Sequence, residues 1–172
     1  HGYWFYVTGH IPVHKDAKLI DQRLIEKYGI GVSESTRARR KRLGHANLQY
    51  LRFGQTFVLM ATKGQHSFFE TELKSIHDIR HTPLKIDGYS ISYRRGGRKR
   101  SGEKDHSWHA HVEIERRRYL ELKAWLLELA VHRSAENLAK AFYQIPFEPY
   151  APVRRQLLNL HRAVNQARKQ SG

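Results

Sequence analysis

The chain has 172 residues, 40% of them hydrophobic and 11% aromatic, enough for one compact domain with a sizeable core. Lysine and arginine number 31 against 16 aspartate and glutamate, a formal net charge of +15. With no cysteine in the chain, disulfides and thiolate-held metals are excluded, and no apolar run approaches the roughly 20 residues a bilayer span needs.

Tyr3 to Thr8 is aromatic and β-branched and reads as a strand, ended by Gly9 and Pro12. Asp16 can cap a helix whose residues Ile20, Leu24 and Tyr28 share one face, with Gly29 as its stop. Ser33 to His45 is polar and reads as a loop or a short helix. It carries the first basic cluster: Arg37, Arg39, Arg40, Lys41 and Arg42. Asn47 to Phe53 and Thr56 to Thr62 form an expected hairpin, with Gly54 at the first central position of a type II′ turn. His66 to Arg80 places Phe68, Phe69, Leu73, Ile76 and Ile79 at a spacing closer to helix than strand, and Pro83 closes that segment.

Leu84 to Arg95 alternates, with Tyr89, Ile91 and Tyr93 on one face. A Gly-rich basic loop follows, which with Arg94 supplies the second cluster: Arg94, Arg95, Arg98, Lys99 and Arg100. Ser107 to Glu115 reads as the last strand. Tyr119 to Val131, Ser134 to Gln144 and Val153 to about Lys169 read as helices, and Phe147 to Pro152 as a rigid connector between the last two. The expected architecture is α+β: a roughly five-stranded antiparallel or mixed sheet with helices on one face and a C-terminal helical segment. The whole chain reads as one domain, with its sheet-forming part at about 1–115 and its helical part at about 116–172.

A charge of +15 strains a folded protein through self-repulsion. A polyanionic partner is the common reason to keep it, and phosphate backbones are the commonest polyanion. The bland alternative is a basic surface that only aids solubility. Arg116, Arg117 and Arg118 stand where the last strand gives way to a helix. If they open that helix, the aligned peptide dipoles disfavour them unless an anion lies near, and a phosphate would meet both arginines and free N–H groups. If they end the strand, they simply point into water. Arg154 and Arg155 add charge to the final helix. Aromatic residues such as Tyr3, Trp4, Tyr50, Tyr89 and Tyr93 would stack bases if an open sheet face carried them, though strand aromatics more commonly line a core.

The sharpest local pattern runs from His106 to Glu115. In a strand, His109, His111, Glu113 and Glu115 share one face, while Trp108, Ala110, Val112 and Ile114 share the other, toward the core. Two imidazoles and a carboxylate on one face can chelate a divalent cation, and a metal beside a basic groove can polarise a scissile phosphate. Such a pair can equally hydrogen-bond with Glu113 or touch phosphate directly. This strand resembles the His-hydrophobic-His motif of the HUH endonuclease superfamily of replication initiators, relaxases and small transposases, over about ten residues. The resemblance implies that His109 and His111 hold Mn²⁺ or Mg²⁺, with Glu113 as third ligand. It also implies that a helix-borne tyrosine attacks DNA. Tyr143, then Tyr150, then Tyr119 are the candidates, and Lys140 before Tyr143 departs from the family pattern, in which the lysine follows the tyrosine.

The function expected is therefore nucleic-acid binding, with DNA preferred over RNA, and a metal-dependent nicking activity of a mobile or replicating element if the motif carries the family's chemistry. The alternatives are a non-catalytic DNA- or RNA-binding module, such as a subunit of a larger ribonucleoprotein, and a basic structural or protein-interaction subunit. No membrane partner is expected. Without a signal-peptide pattern, an intracellular location is expected, in the cytoplasm or with the nucleoid. The start at His1-Gly2 and the single Met60 lead to the expectation of a fragment, a processed chain or a tagged chain with flanking domains missing.

Overall fold

The aromatic opening segment forms β1 (Tyr3–His10), and the computed structural model describes residues 2–98, 100–148 and 150–171. The chain is α+β and divides into two compact units, 1–84 and 85–172. The boundary falls inside the stretch expected to build one sheet. In place of one sheet of about five strands there are two antiparallel sheets, one of four strands and one of three.

In the first unit, α1 (Ala17–Lys27) starts where Asp16 accepts a hydrogen bond from the Lys18 N–H, as the sequence indicated. The Ser33 to His45 stretch resolves as a helix, α2 (Glu34–Arg42), because the Ser33 hydroxyl caps it by accepting from the Thr36 N–H. β2 (Leu48–Phe53) and β3 (Thr56–Thr62) form the expected hairpin, and Gly54 takes φ +56° at its turn. The strand order is β2-β3-β1-β4, so β1 is interior.

The segment expected as a helix from His66 to Arg80 is instead a short helix, α3 (Ser67–Thr71), followed by β4 (His77–Asp78), which pairs with Phe5 and Tyr6 of β1. Three of its five apolar residues reach one core: Phe68 is buried in it, and Phe69 and Ile76 pack against it, whereas Leu73 is exposed. A turn of helix and a strand deliver them where a helical stripe was expected. The rest of that core is Val7, Tyr28, Ile30, Ala46, Leu48, Leu59 and Ala61. Gly64 allows the chain to pass close by: it takes φ +145°, and a Cβ there would lie 2.5 Å from the Ala46 nitrogen.

In the second unit, Leu84 to Arg95 is two strands, correcting the reading as one. β5 (Leu84–Ile86), which begins at the last residue of the first unit, and β6 (Tyr89–Arg95) are joined by Asp87-Gly88, with φ +48° and +76°. Positive φ at both central residues is the mark of a type I′ hairpin turn, for which Asp-Gly is a preferred pair. β7 (Trp108–Ile114) pairs with β6 along its whole length, completing the order β5-β6-β7.

Three helices follow: α4 (Arg116–His132), α5 (Ala135–Tyr143) and α6 (Ala151–Ser171). They bury Leu126, Ala130, Leu138, Ala141, Leu160 and Val164 as a second core. α6 also fastens the edge of the sheet. The Gln156 side chain accepts from the Ile114 N–H at 2.7 Å and donates back to the Ile114 carbonyl at 3.2 Å. The connector before α6 docks on the sheet: the Glu148 N–H donates to the Tyr89 hydroxyl at 2.8 Å, and the Phe147 ring meets Tyr89 edge-on. Pro149 of that connector lies outside the described residues.

Candidate nucleic-acid interface

α2 is the most densely cationic helix, with Arg37, Arg39, Arg40, Lys41 and Arg42 in nine residues against Glu34. Four of these cations lie in its last turn, where the negative end of the helix dipole favours them. Arg40 is structural: its guanidinium donates to the Gly29 carbonyl at 3.0 Å. Among the described residues, no side-chain hydrogen bond or ion pair engages Arg37, Arg39, Lys41 or Arg42. Arg39, Lys41 and Arg42 are exposed. Arg37 and Lys41 line a cleft of about 500 Å³ together with Tyr3, Glu34, Ala38, Asn47, Gln49 and Thr62. Asn47 ties α2 to the sheet, its side-chain amide donating to the Arg37 carbonyl at 3.0 Å.

The second basic cluster lies on the β6–β7 hairpin. The ladder runs past the named strands through the Gly96 N–H to the Ser107 carbonyl at 2.7 Å and the Arg98–Lys104 bridge. Arg94 is held by Glu113 at 3.2 Å and by the Ser92 hydroxyl at 2.9 Å. Arg98 donates to the Gly102 carbonyl at 3.4 Å. Arg95 and Arg100 are exposed, and Lys99 lies outside the described residues.

Arg116, Arg117 and Arg118 do open a helix, in the first turn of α4. The anion they need is supplied from within the chain. The Glu115 carboxylate caps α4, accepting from the Arg117 and Arg118 N–H groups at 2.8 and 3.2 Å and from Lys85 at 2.9 Å. The Lys85 ammonium foremost, then these N–H groups, hold its carboxyl below the ordinary carboxylate range. Glu121 takes both guanidinium groups, of Arg117 at 3.0 Å and of Arg118 at 3.4 Å. Arg154 and Arg155 are exposed on α6, beside a groove shared with Leu158 and Arg162.

His109, His111 and Glu113 share a face of β7, opposite Arg94, Ser92 and Ser90 of β6. The two imidazoles are drawn to different carboxylates. His111 meets Glu113 at 3.2 Å, and His109 meets Asp105 at 2.8 Å. Asp105 also accepts from the Ser107 N–H at 2.9 Å. That bond foremost, then His109, brings its pKa down to about 2. Glu113 is shared with Arg94, and among the described residues no three His, Asp or Glu side chains gather as a metal-binding set. His106 is exposed.

The tyrosines are dispersed through the second unit. Tyr119 packs against the helical core. Tyr143, 93% exposed, lines a cleft between α5 and α6 with Phe142 and His161. Tyr150 packs edge-on against Tyr89 at 6.3 Å, and Tyr89 pairs with Ile114, on the face opposite His109 and His111. No hydrogen bond or ring contact among the described residues links any of the three to the imidazole pair.

That opposite face is not the core face expected along its whole length. Ile114 is 1% exposed, but Trp108 is 42% exposed and Ala110 is exposed too. The helical cover reaches one end of β7 and stops short of the other. No protein-family model, curated protein or solved structure matches the chain.

Proposed function

We propose that this protein binds nucleic acid through its basic surface, with α2 as the principal phosphate contact. One observation carries the reading: Arg37, Arg39, Lys41 and Arg42 crowd one short helix with no ion-pair partner among the described residues. Exposed like charges repel, and phosphate offsets that repulsion while the arginines and lysines release cations condensed on the polyanion. In the second unit, Arg95, Arg100, Arg154 and Arg155 are likewise exposed.

The test is titration of labelled DNA and RNA oligonucleotides, followed by fluorescence anisotropy at several salt concentrations. Log affinity is expected to fall linearly with log salt, with a slope of roughly 0.9 per duplex phosphate contacted. Failure to form any complex at physiological salt overturns the reading and returns the charge to a solubility role.

A second reading, nicking of DNA in the manner of the HUH superfamily, is favoured by the common face of His109, His111 and Glu113. It requires Glu113 to leave Arg94 and His109 to leave Asp105. Its expected signature is cleavage of single-stranded DNA in Mn²⁺ with a protein–DNA adduct that survives denaturation. His109→Ala with His111→Ala would abolish cutting and spare binding. Binding without cutting across Mn²⁺ and Mg²⁺ leaves the protein a non-catalytic module.

A further inference from the structure

The far end of the β6–β7 hairpin carries a feature that a basic surface alone does not explain. Arg95 pairs with Trp108 and Tyr93 with Ala110, so Tyr93, Arg95 and Trp108 share a face. The Tyr93 and Trp108 rings are stacked, with centroids 5.4 Å apart and planes 4° from parallel. The Arg95 guanidinium lies 5.6 Å from the centre of the Trp108 ring. In a core such a stack would be covered. Here 42% of Trp108 remains open to solvent with both neighbours in place. Leaving a tryptophan in water forgoes the stabilisation of burying it, which makes an exposed, ordered aromatic stack a binding feature rather than a packing one.

The surroundings identify the ligand. Arg98, Arg100 and Lys104 crowd the tip of the hairpin next to the stack and are all exposed or at its exposed turn. Two carboxylates lie in the same loop: Asp105, engaged by Ser107 and His109, and Glu103, which also has a partner. A partner that offers flat π-faces and negative charge at close spacing is an unpaired polynucleotide. We propose that Tyr93, Trp108 and Arg95 form a base-stacking site for single-stranded nucleic acid, with the tip cations meeting its phosphates. The inference rests on the nucleic-acid reading and deepens it by specifying the unpaired form. In a duplex, the bases are stacked on one another and present no face to this surface, whereas an unpaired base can add to the stack. Stacking reads the π-face and not the sugar, so DNA and RNA strands occupy the site alike.

The test uses the full chain, with oligothymidylate, oligouridylate and a duplex of the same length as probes. Trp108→Ala is expected to weaken binding of both single strands by roughly ten- to a hundred-fold, the range for loss of one base-stacking aromatic. Duplex binding is expected to change little. Trp108→Phe, which keeps a ring, is expected to retain most of the single-strand affinity. In the unsubstituted protein, oligothymidylate is expected to quench a tryptophan emission component that is missing from Trp108→Phe, a readout that holds even if Trp108→Ala folds poorly. Single-strand affinity unchanged in Trp108→Ala, or reduced equally for duplex, overturns this site while leaving the basic surface intact. Absence of binding to every probe removes both readings together.

Discussion

α2 carries its cations at its carboxyl end and leaves them without ion-pair partners, whereas α4 carries Arg116, Arg117 and Arg118 at its amino end and ties two of them to carboxylates. The helix dipole makes the two placements opposite in sign. A cation in the last turn gains about 0.3–1 kcal/mol, and a cation in the first turn loses a comparable amount. The chain answers the unfavourable placement with Glu115 at the cap and Glu121 one turn on. It leaves the favourable placement unanswered. A run of arginines therefore does not mark a phosphate contact by itself. What matters is whether the fold has already supplied the counter-charge.

The comparison breaks first at α2. Exchanging Arg39, Lys41 and Arg42 together for glutamine is expected to lower nucleic-acid affinity by roughly a hundred-fold at physiological salt and to cut the salt slope by about three. These side chains are exposed and make no hydrogen bond or ion pair among the described residues; the dipole stabilisation they lose is opposed by relief of their mutual repulsion, so the fold should persist with the thermal midpoint within a few degrees of the parent. An unchanged affinity would mean that α2 is as silent as α4 is expected to be.

The next effect is on stability and belongs to α4. Glu115→Ala removes the cap, the partner of Lys85 and the anion that offsets three arginines. The thermal midpoint is expected to fall by a few degrees, with helical circular dichroism lost from the first turn of α4. Because the Glu115 carboxyl is held below its ordinary range, its contribution is present above the usual carboxylate pKa and is lost on acidification. The same sign applies to Asp105, at the base of the basic loop. Its stabilisation is present above about pH 4 and disappears as pH falls through about 2. Carboxyl chemical shifts followed through an acid titration should place Asp105 lowest among the aspartates, and His109→Ala should raise it only partway, since the Ser107 N–H remains.

Much of this arrangement was legible in the chain. Asp16 and Ser134 cap helices as their side chains suggest, and Gly54 turns a hairpin, whereas the cap at Ser33 decides for a helix a stretch read as loop or short helix. The missed turn at Asp87-Gly88 had two signs. The dipeptide itself is one, and the other is a change of phase: apolar residues fall at Leu84 and Ile86, then at Tyr89, Ile91 and Tyr93. Reading across it as one strand hid a hairpin of the three-stranded sheet. The placement of Trp108 was not legible. Alternation tells which residues share a face, but not how far a neighbouring helix covers it, and on this face Ile114 is buried while Trp108 is not. The partners of His109 and His111 were hidden in part for a related reason. Glu113 lay on the expected face, but Asp105 reaches His109 from the preceding loop, outside any strand periodicity.

The smallest expected effect is also the sharpest check on the comparison. Arg117→Gln with Arg118→Gln removes two cations, as a fraction of the α2 change does, so a purely global charge effect predicts a proportionate loss of affinity. If local counter-charge decides, the loss should stay below about two-fold, because the two cations were already paired with Glu121 and contact no phosphate, and the repulsion from the freed Glu121 is weakened by salt. Salt-dependence separates the cases without reference to absolute affinity. A slope unchanged from the parent protein means that no phosphate contact was lost. A slope reduced by about two would make α4 an interface after all, and Glu121 would then be a competitor that nucleic acid displaces.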